Sequence, residues 1–380
     1  MGIFEHRSRW QPISDPSGAA SRRGTSSRTG SPPSGKWASV CRATPVIELG
    51  LSEVRLSLGD AILVGDVGGT HARFALADPS DGYRIQHRKD LTANFPTFSD
   101  ALRSYLDGLG LDARPRAGAI AVAGPVTDGC ARFTNRGWDI SERELLKFGF
   151  ERALLVNDFA VLAFAAEVLQ PKDLRTLGPR IAGLPGGTIT ILGPGTGFGV
   201  SCLARDGARA VRMATEGGHI GFAPGDDAEV AALQALRGEL GRVSVERILS
   251  GSGLENLYRA LERIAGREAR PLQATQITSG AAQGDVGCCA ALTMFCSIFG
   301  AVAGDLALAH GARGGVYIAG GIAQKIEGFL VQSPFRARFE DKGRLSPFVK
   351  AIPTRLIVNP DVALLGAARA GTLPGGASGS

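Results

Sequence analysis

The stretch Ala61-Ile-Leu-Val-Gly-Asp-Val-Gly-Gly-Thr70, followed at once by Ala72-Arg-Phe-Ala-Leu-Ala-Asp78, restricts this chain more than any other. Ile62, Leu63 and Val64 form a short apolar run that suits a buried strand, and Gly68-Gly69 can take the positive φ values of a tight hairpin. Such a turn leaves its backbone N–H groups bare. An anion can then sit directly on them, with Thr70 adding a hydroxyl donor and Asp66 a carboxylate able to hold a metal ion. Gly65, Asp66, Val67, Gly68, Gly69 and Thr70 are therefore read as a candidate cradle for a nucleoside triphosphate; the structural alternative is an ordinary Gly-Gly hairpin.

A second stretch repeats the design. Thr188-Ile-Thr-Ile-Leu-Gly-Pro-Gly-Thr-Gly-Phe-Gly-Val-Ser-Cys-Leu-Ala204 is again apolar strand, glycine turn with a threonine, apolar strand, the turn being made by Gly193, Gly195, Thr196 and Gly197. Neither turn is a P-loop, because no Gly-Lys-Ser or Gly-Lys-Thr follows, and the spacing of the second misses the dinucleotide fingerprint. A third turn, at Gly320-Gly321, ends the apolar strand that starts at Gly315. Three glycine turns closing strands can line one nucleotide, two at the phosphates and one at the base and ribose.

Together, Asp66-Val-Gly-Gly-Thr70, Leu192-Gly-Pro-Gly-Thr-Gly197 and Ala319-Gly-Gly-Ile322 resemble the phosphate and adenosine motifs of the sugar kinase, heat-shock ATPase and actin superfamily. Within it the chain resembles the bacterial glucokinases, through Phe133-Thr-Asn-Arg-Gly-Trp138, Leu155-Val-Asn-Asp-Phe159, Thr215-Glu-Gly-Gly-His-Ile-Gly-Phe-Ala-Pro224 and Val245-Glu-Arg-Ile-Leu-Ser-Gly251. The resemblance runs in order from about Ala61 to Ala370. It implies an α/β fold of two ribonuclease-H-like (actin-like ATPase) domains with a ligand cleft between them, and phosphorylation of glucose by ATP with Mg²⁺. A kinase of another hexose, one using ADP or polyphosphate, and a sugar-sensing regulator on the same fold are the alternatives.

Composition narrows the partners. At 380 residues, with 44% hydrophobic and 21% charged residues, the chain can bury two sizeable cores. The net charge of +6 invites a nucleic-acid reading, but residues 1–60 alone hold eight Lys or Arg against five Asp or Glu. The rest of the excess is spread without a basic block, so no nucleic-acid partner is expected. Cysteines at 41, 130, 202, 288, 289 and 296 form no Cys-x-x-Cys pair, which argues against a zinc knuckle and for reduced thiols in a cytoplasm. Val286 to Gly304 holds 19 uncharged residues, a length that could span a bilayer. Its glycines, Thr293 and Ser297, and the flanking Asp285 and Asp305, favour a helix buried between layers, so no membrane is expected. A homodimer is compatible with this reading.

Residues 1–55, rich in Ser, Arg, Gly and Pro, are expected to be a disordered tail, with a targeting segment or a misplaced start codon as alternatives. Next comes a small α/β domain, 56–168 plus 361–375, with strands near 61–65, 73–78, 83–88, 117–124 and 153–156 and a capping box at Ser141 and Glu144. The large domain, 169–360, repeats the order with strands near 188–193, 199–205, 208–213, 315–319 and 354–358.

Phosphoryl transfer to a hydroxyl needs a base, partners for the other hydroxyls and neutralisation of the triphosphate. Asp158 stands at the carboxyl end of a strand, where open α/β sheets place their ligand crevice. Asp is also a favoured N-cap, and the residues alone favour a cap for the helix that follows. The resemblance makes Asp158 the base and Asn157 a hydroxyl ligand beside it. Glu216 and His219 flank a Gly-Gly turn that can bring both to one sugar ring. Glu246, behind Ser244, would ordinarily just offset a helix dipole, and the resemblance makes it a sugar ligand. Replacing Glu216, His219 or Glu246 is expected to weaken sugar binding more than nucleotide binding. Trp138 is read as packing.

Overall fold

Strand order places the three glycine turns. The computed structural model describes residues 61–68, 71–92, 95–110, 115–133, 138–207 and 209–373. The expected tail, and Gly69 and Thr70, lie outside the described residues. Strands β1 (Ile62–Val67), β2 (His71–Asp78), β3 (Arg84–Thr92) and β4 (Ala117–Val122) are followed by a small hairpin, β5 (Cys130–Phe133) and β6 (Trp138–Ser141), and by β7 (Arg152–Asn157). They form one sheet in the order β3-β2-β1-β4-β7, with β5 and β6 paired apart. β1 runs antiparallel to β2 and parallel to β4, which is parallel to β7. A second sheet contains β8 (Leu174–Leu177), β9 (Ile189–Pro194), β10 (Phe198–Asp206), β11 (Arg209–Thr215), β12 (Gly315–Ile318) and β13 (Thr354–Ile357), in the order β11-β10-β9-β12-β13-β8. Removing β8 leaves the same order and the same mixture of parallel and antiparallel pairs, so the expected duplication holds.

Alternation along each strand sorts side chains into three cores. Ile62 and Val64 of β1 share the middle core with Ile189 and Ile191 of β9, around the helices Ala160–Ala165 and Val362–Gly371. Those helices cross closely: a Cβ on Gly366 would lie 2.2 Å from the Val161 carbonyl oxygen. Leu63 and Val67 face the opposite way, against Phe98 and Tyr105. The second sheet's outer face packs on Val286–His310, Asp285 being its N-cap. This helix is long and apolar enough to cross a bilayer, yet Phe295, Cys296, Ile298 and Phe299 are all completely buried in the core. Both sheets belong to one compact unit. Asp66 shares the parity of Ile62 and Val64, so the pleat directs it to the face between the sheets.

Several local expectations change. The helix Phe98–Gly108 starts behind Thr97, whose side chain accepts the Asp100 amide as its N-cap. Only half of the Ser141 capping box forms: Ser141 Oγ accepts the Glu144 amide at 3.1 Å, while the Glu144 carboxylate takes the Ser99 hydroxyl from a neighbouring helix. Strands β5, β6 and β8, four residues each, were too short for their alternation to register. Trp138 packs edge-on to Phe98, buried, with its indole nitrogen donating to the Phe95 carbonyl at 3.3 Å.

Candidate active site

The parallel strands β1, β4 and β7 end together. Ala123 N donates to Val67 O at 2.9 Å and Asp158 N to Val122 O at 2.8 Å, so Asp66 and Asp158 sit at the carboxyl-terminal ends of the two strands that flank β4. Burial pushes the Asp158 carboxyl up to about 6, and the negative charge of Asp66 adds to the rise. The Asp66 carboxyl is also raised by burial, against the pull of Arg73, whose guanidinium lies 3.6 Å away. Arg73 in turn donates to Pro360 O at 3.4 Å.

Asn157, not Asp158, accepts the amides that lead into the following helix, Ala160–Ala165, whose N-cap position is Phe159 and carries no side-chain cap of its own. The Asn157 Oδ1 accepts the amides of Phe159 and Ala160 at 2.9 and 3.0 Å. Its Nδ2 donates to Gly124 O at 3.0 Å and to Asp158 Oδ1 at 3.1 Å. Those amides are thus taken by the neighbouring residue, and the Asp158 carboxylate is held in place by the same side chain. The two residues are equally good caps in isolation, which is why the sequence did not separate them.

Glycines split into those that admit a neighbour and those that stay open. A Cβ on Gly199 would lie 2.0 Å from the Phe159 ring, so the residue after Asp158 packs directly on β10 of the other sheet. Gly193 meets the Ala319 carbonyl in the same way at 1.9 Å, and Gly320, at φ +88°, meets Pro194 O at 2.3 Å, so the second and third glycine turns touch. Gly65 is filled by Ile120 and Phe74 and serves packing, beside Val67 in the core. Gly195 and Gly321, by contrast, have nothing within 4 Å, and Gly68 only His71 O at 3.9 Å. Thr196 is exposed at the tip of its turn.

Glu216 and His219 stand on a single 3-10 turn, Gly217–His219, their side chains 3.7 Å apart and exposed. Gly218 lets that turn lie against Phe198 O, and Arg242 holds it by donating to His219 O at 2.8 Å. Glu246 is half-buried and its Oε2 accepts the Phe198 amide at 2.9 Å. Its turn, Val245–Arg247, is 3-10 rather than α-helical, and Ser244 makes no side-chain cap, so the dipole role does not arise. Sequence reasoning passed over Arg73, Phe159 and the Phe198 amide. Phe159 and the Phe198 amide carry no local signal, since each matters through a partner distant in the chain, whereas Arg73 stands directly across the β1–β2 ladder from Asp66.

Two cavities, of about 790 and 380 Å³, are lined by other residues, including Arg103, Arg143 and Lys147 in the first and Arg270 and Gln283 in the second. None of the candidate site residues lines either cavity.

Comparison with known proteins agrees with the geometry. The glucokinase family model matches residues 63–373. A glucokinase of Caulobacter sp. (strain K31) is 48% identical over 320 residues, covering 83% of this chain and 96% of the relative. Among solved structures, a glucokinase from an Antarctic psychrotroph is similar with a TM-score of 0.76 at 37% identity, over 82% of this chain and 98% of that one. A glucokinase from Balamuthia mandrillaris, solved in complex with glucose, matches in fold with a TM-score of 0.68 at 23% identity, over 82% and 92% of the two chains. With its duplicated sheets, its three glycine turns and relatives matched over nearly their whole length, the chain belongs to the glucokinase family.

Proposed function

We propose that this enzyme phosphorylates D-glucose to D-glucose 6-phosphate from ATP, with Asp158 as the general base. The observation that carries this reading is the Asp158 carboxyl itself, at a strand end, relieved of capping by Asn157 and set at about 6, close enough to neutrality to accept a proton. Its oxygen takes the proton of the attacking hydroxyl. Asn157 orients that carboxylate and stands beside the sugar. Glu216, His219 and Glu246 hold the other hydroxyls, carboxylates being suited to neutral sugars because they accept from vicinal pairs. The turns around Gly68 and Gly195, whose own amides close the turns by donating to His71 O at 2.9 Å and Gly197 O at 2.8 Å, receive the phosphates of ATP, and Gly320-Gly321 the adenosine.

Asp66 fits a divalent ion. Among the described residues no three His, Cys, Asp or Glu side chains gather into a metal cage. One carboxylate beside a triphosphate site is how Mg²⁺ is commonly held, the remaining ligands being phosphate oxygens and water. When bound, the ion offsets charge on the triphosphate. The reading places 56–168 with 361–375 on one side of the cleft and 169–360 on the other, closing over the substrates to exclude water. The five cysteines among the described residues are all free, in keeping with a cytoplasmic enzyme.

A coupled assay of the purified protein across several hexoses and donors tests the reading. Glucose with ATP is expected to give the highest kcat/KM, EDTA to abolish turnover and added Mg²⁺ to restore it. Turnover that persists in EDTA, or a preference for ADP or polyphosphate, would displace it.

Glu216→Gln and His219→Asn should each raise the KM for glucose and leave that for ATP near its parental value. A hydrogen bond to a charged group contributes roughly 1.5–3 kcal/mol and a neutral one about 0.5–1.5, so the glutamate should matter more. Unchanged glucose KM values in both would reduce the turn to scaffolding.

A further inference from the structure

Glu246 has a partner that a sugar ligand does not need. Its Oε2 accepts the amide of Phe198, the first residue of β10 and the one that closes the Gly193–Gly197 turn. A Cβ on Gly197 would lie 2.4 Å from that oxygen, so this glycine admits the carboxylate rather than a phosphate. The contact joins residues 48 apart in the chain. It has a companion: Gly251 N donates to Gly195 O at 3.0 Å, tying the tip of the same turn to the next helix, Gly251–Ile264.

The backbone of Glu246 is itself fixed. Ser250, completely buried, donates its hydroxyl to Glu246 O at 2.8 Å and accepts the Gly253 amide at 3.0 Å as the helix cap. On the other side, Val245 N donates to Ile220 O at 3.0 Å and Phe222 N to Val243 O at 3.1 Å, which binds this segment to the turn bearing Glu216 and His219. The segment Val243–Gly251 is thus fastened to the sugar turn at one end and the glycine hairpin at the other. Glu246 is its only side chain with a hydrogen bond to the hairpin among the described residues. Oε1 has no hydrogen-bond partner there.

We infer that Glu246 is a positioning residue for the phosphoryl donor: one carboxylate oxygen holds the Gly193–Gly197 hairpin in the shape that receives phosphate, while the other remains for the sugar. The inference rests on reading that hairpin as a phosphate site. It changes the expectation that Glu246 acts mainly on sugar affinity, because its removal also loosens the donor side.

Kinetics of Glu246→Ala and Glu246→Gln at saturating cosubstrate test it, with Tm recorded for both. Ala removes the acceptor, so the KM for ATP should rise about tenfold even when glucose saturates, the effect of losing one hydrogen bond to a charged acceptor. Gln keeps an oxygen for the Phe198 amide, so its KM for ATP should stay within about twofold of the parent at a similar Tm. An unchanged KM for ATP in the Ala variant, or an equal rise in both, overturns the inference. The sugar role is read separately: an unchanged glucose KM in both variants would withdraw Glu246 from the sugar and leave the hairpin role standing. Absence of ATP-dependent turnover in the parent would instead remove the donor reading beneath both. Should the Ala variant not fold, Gly197→Ala displaces the carboxylate by steric contact and must raise the KM for ATP by a similar factor; a parental value there also overturns the inference.

Discussion

Asp158→Asn is expected to lower kcat by roughly 10²–10⁴, the range that general-base catalysis supplies, with ATP binding intact. An amide is no base at neutral pH, and Asn157 cannot substitute for the same reason. Helix capping does not confuse the result, because the Phe159 and Ala160 amides are already held by Asn157. Stability should move in the opposite direction from activity. The folded-state carboxyl is raised to about 6, above its unfolded value. Any stability it contributes is therefore present at low pH and lost as pH rises through 6, so at pH 7.5 the buried charge is a burden that Asn removes. Tm of the variant should equal or exceed that of the parent. The same raised value sets an acid limb in the kcat/KM of the parent, falling tenfold per pH unit below about 6. A folded variant turning over glucose at near the parental rate would remove Asp158 from catalysis.

Gly193→Ala should be the most damaging small change in the glycine turns. The added Cβ would stand 1.9 Å from the Ala319 carbonyl oxygen and 2.5 Å from its carbon. Neither side can retreat, since β9 pairs with β12 from Ile189 to Leu192 and the Ala319 amide donates to Leu192 O at 2.9 Å. Overpacking of this kind costs about 1–3 kcal/mol and more against rigid backbone, which in a protein of this size lowers Tm by at least several degrees. Activity should fall with it, because the clash separates the second and third turns. Gly195→Ala, two residues on, is the control: its Cβ meets nothing within 4 Å, so Tm should hold while the KM for ATP rises. Equal Tm values for both variants would contradict the packing described here.

Much of the fold was readable before any coordinates. Apolar runs with glycine turns named β1, β2, β9 and β10 because a buried strand must be apolar and a tight turn must tolerate unusual φ, both local requirements. The repeated order of elements disclosed the duplication for the same reason. Asp158 was legible as a residue of interest, but its environment was not: burial and the charge of Asp66 come from strands far apart in the chain.

What the sequence alone determined, then, is the element order, the duplicated topology and the residue types available at each strand end. Only the tertiary structure decided which of two adjacent polar residues accepts the amides leading into a helix, which glycines receive a neighbour and which stay open, and that Glu246 reaches the Phe198 amide. Local propensity depends on a few consecutive residues, whereas these outcomes depend on what another segment brings within hydrogen-bond or van der Waals distance.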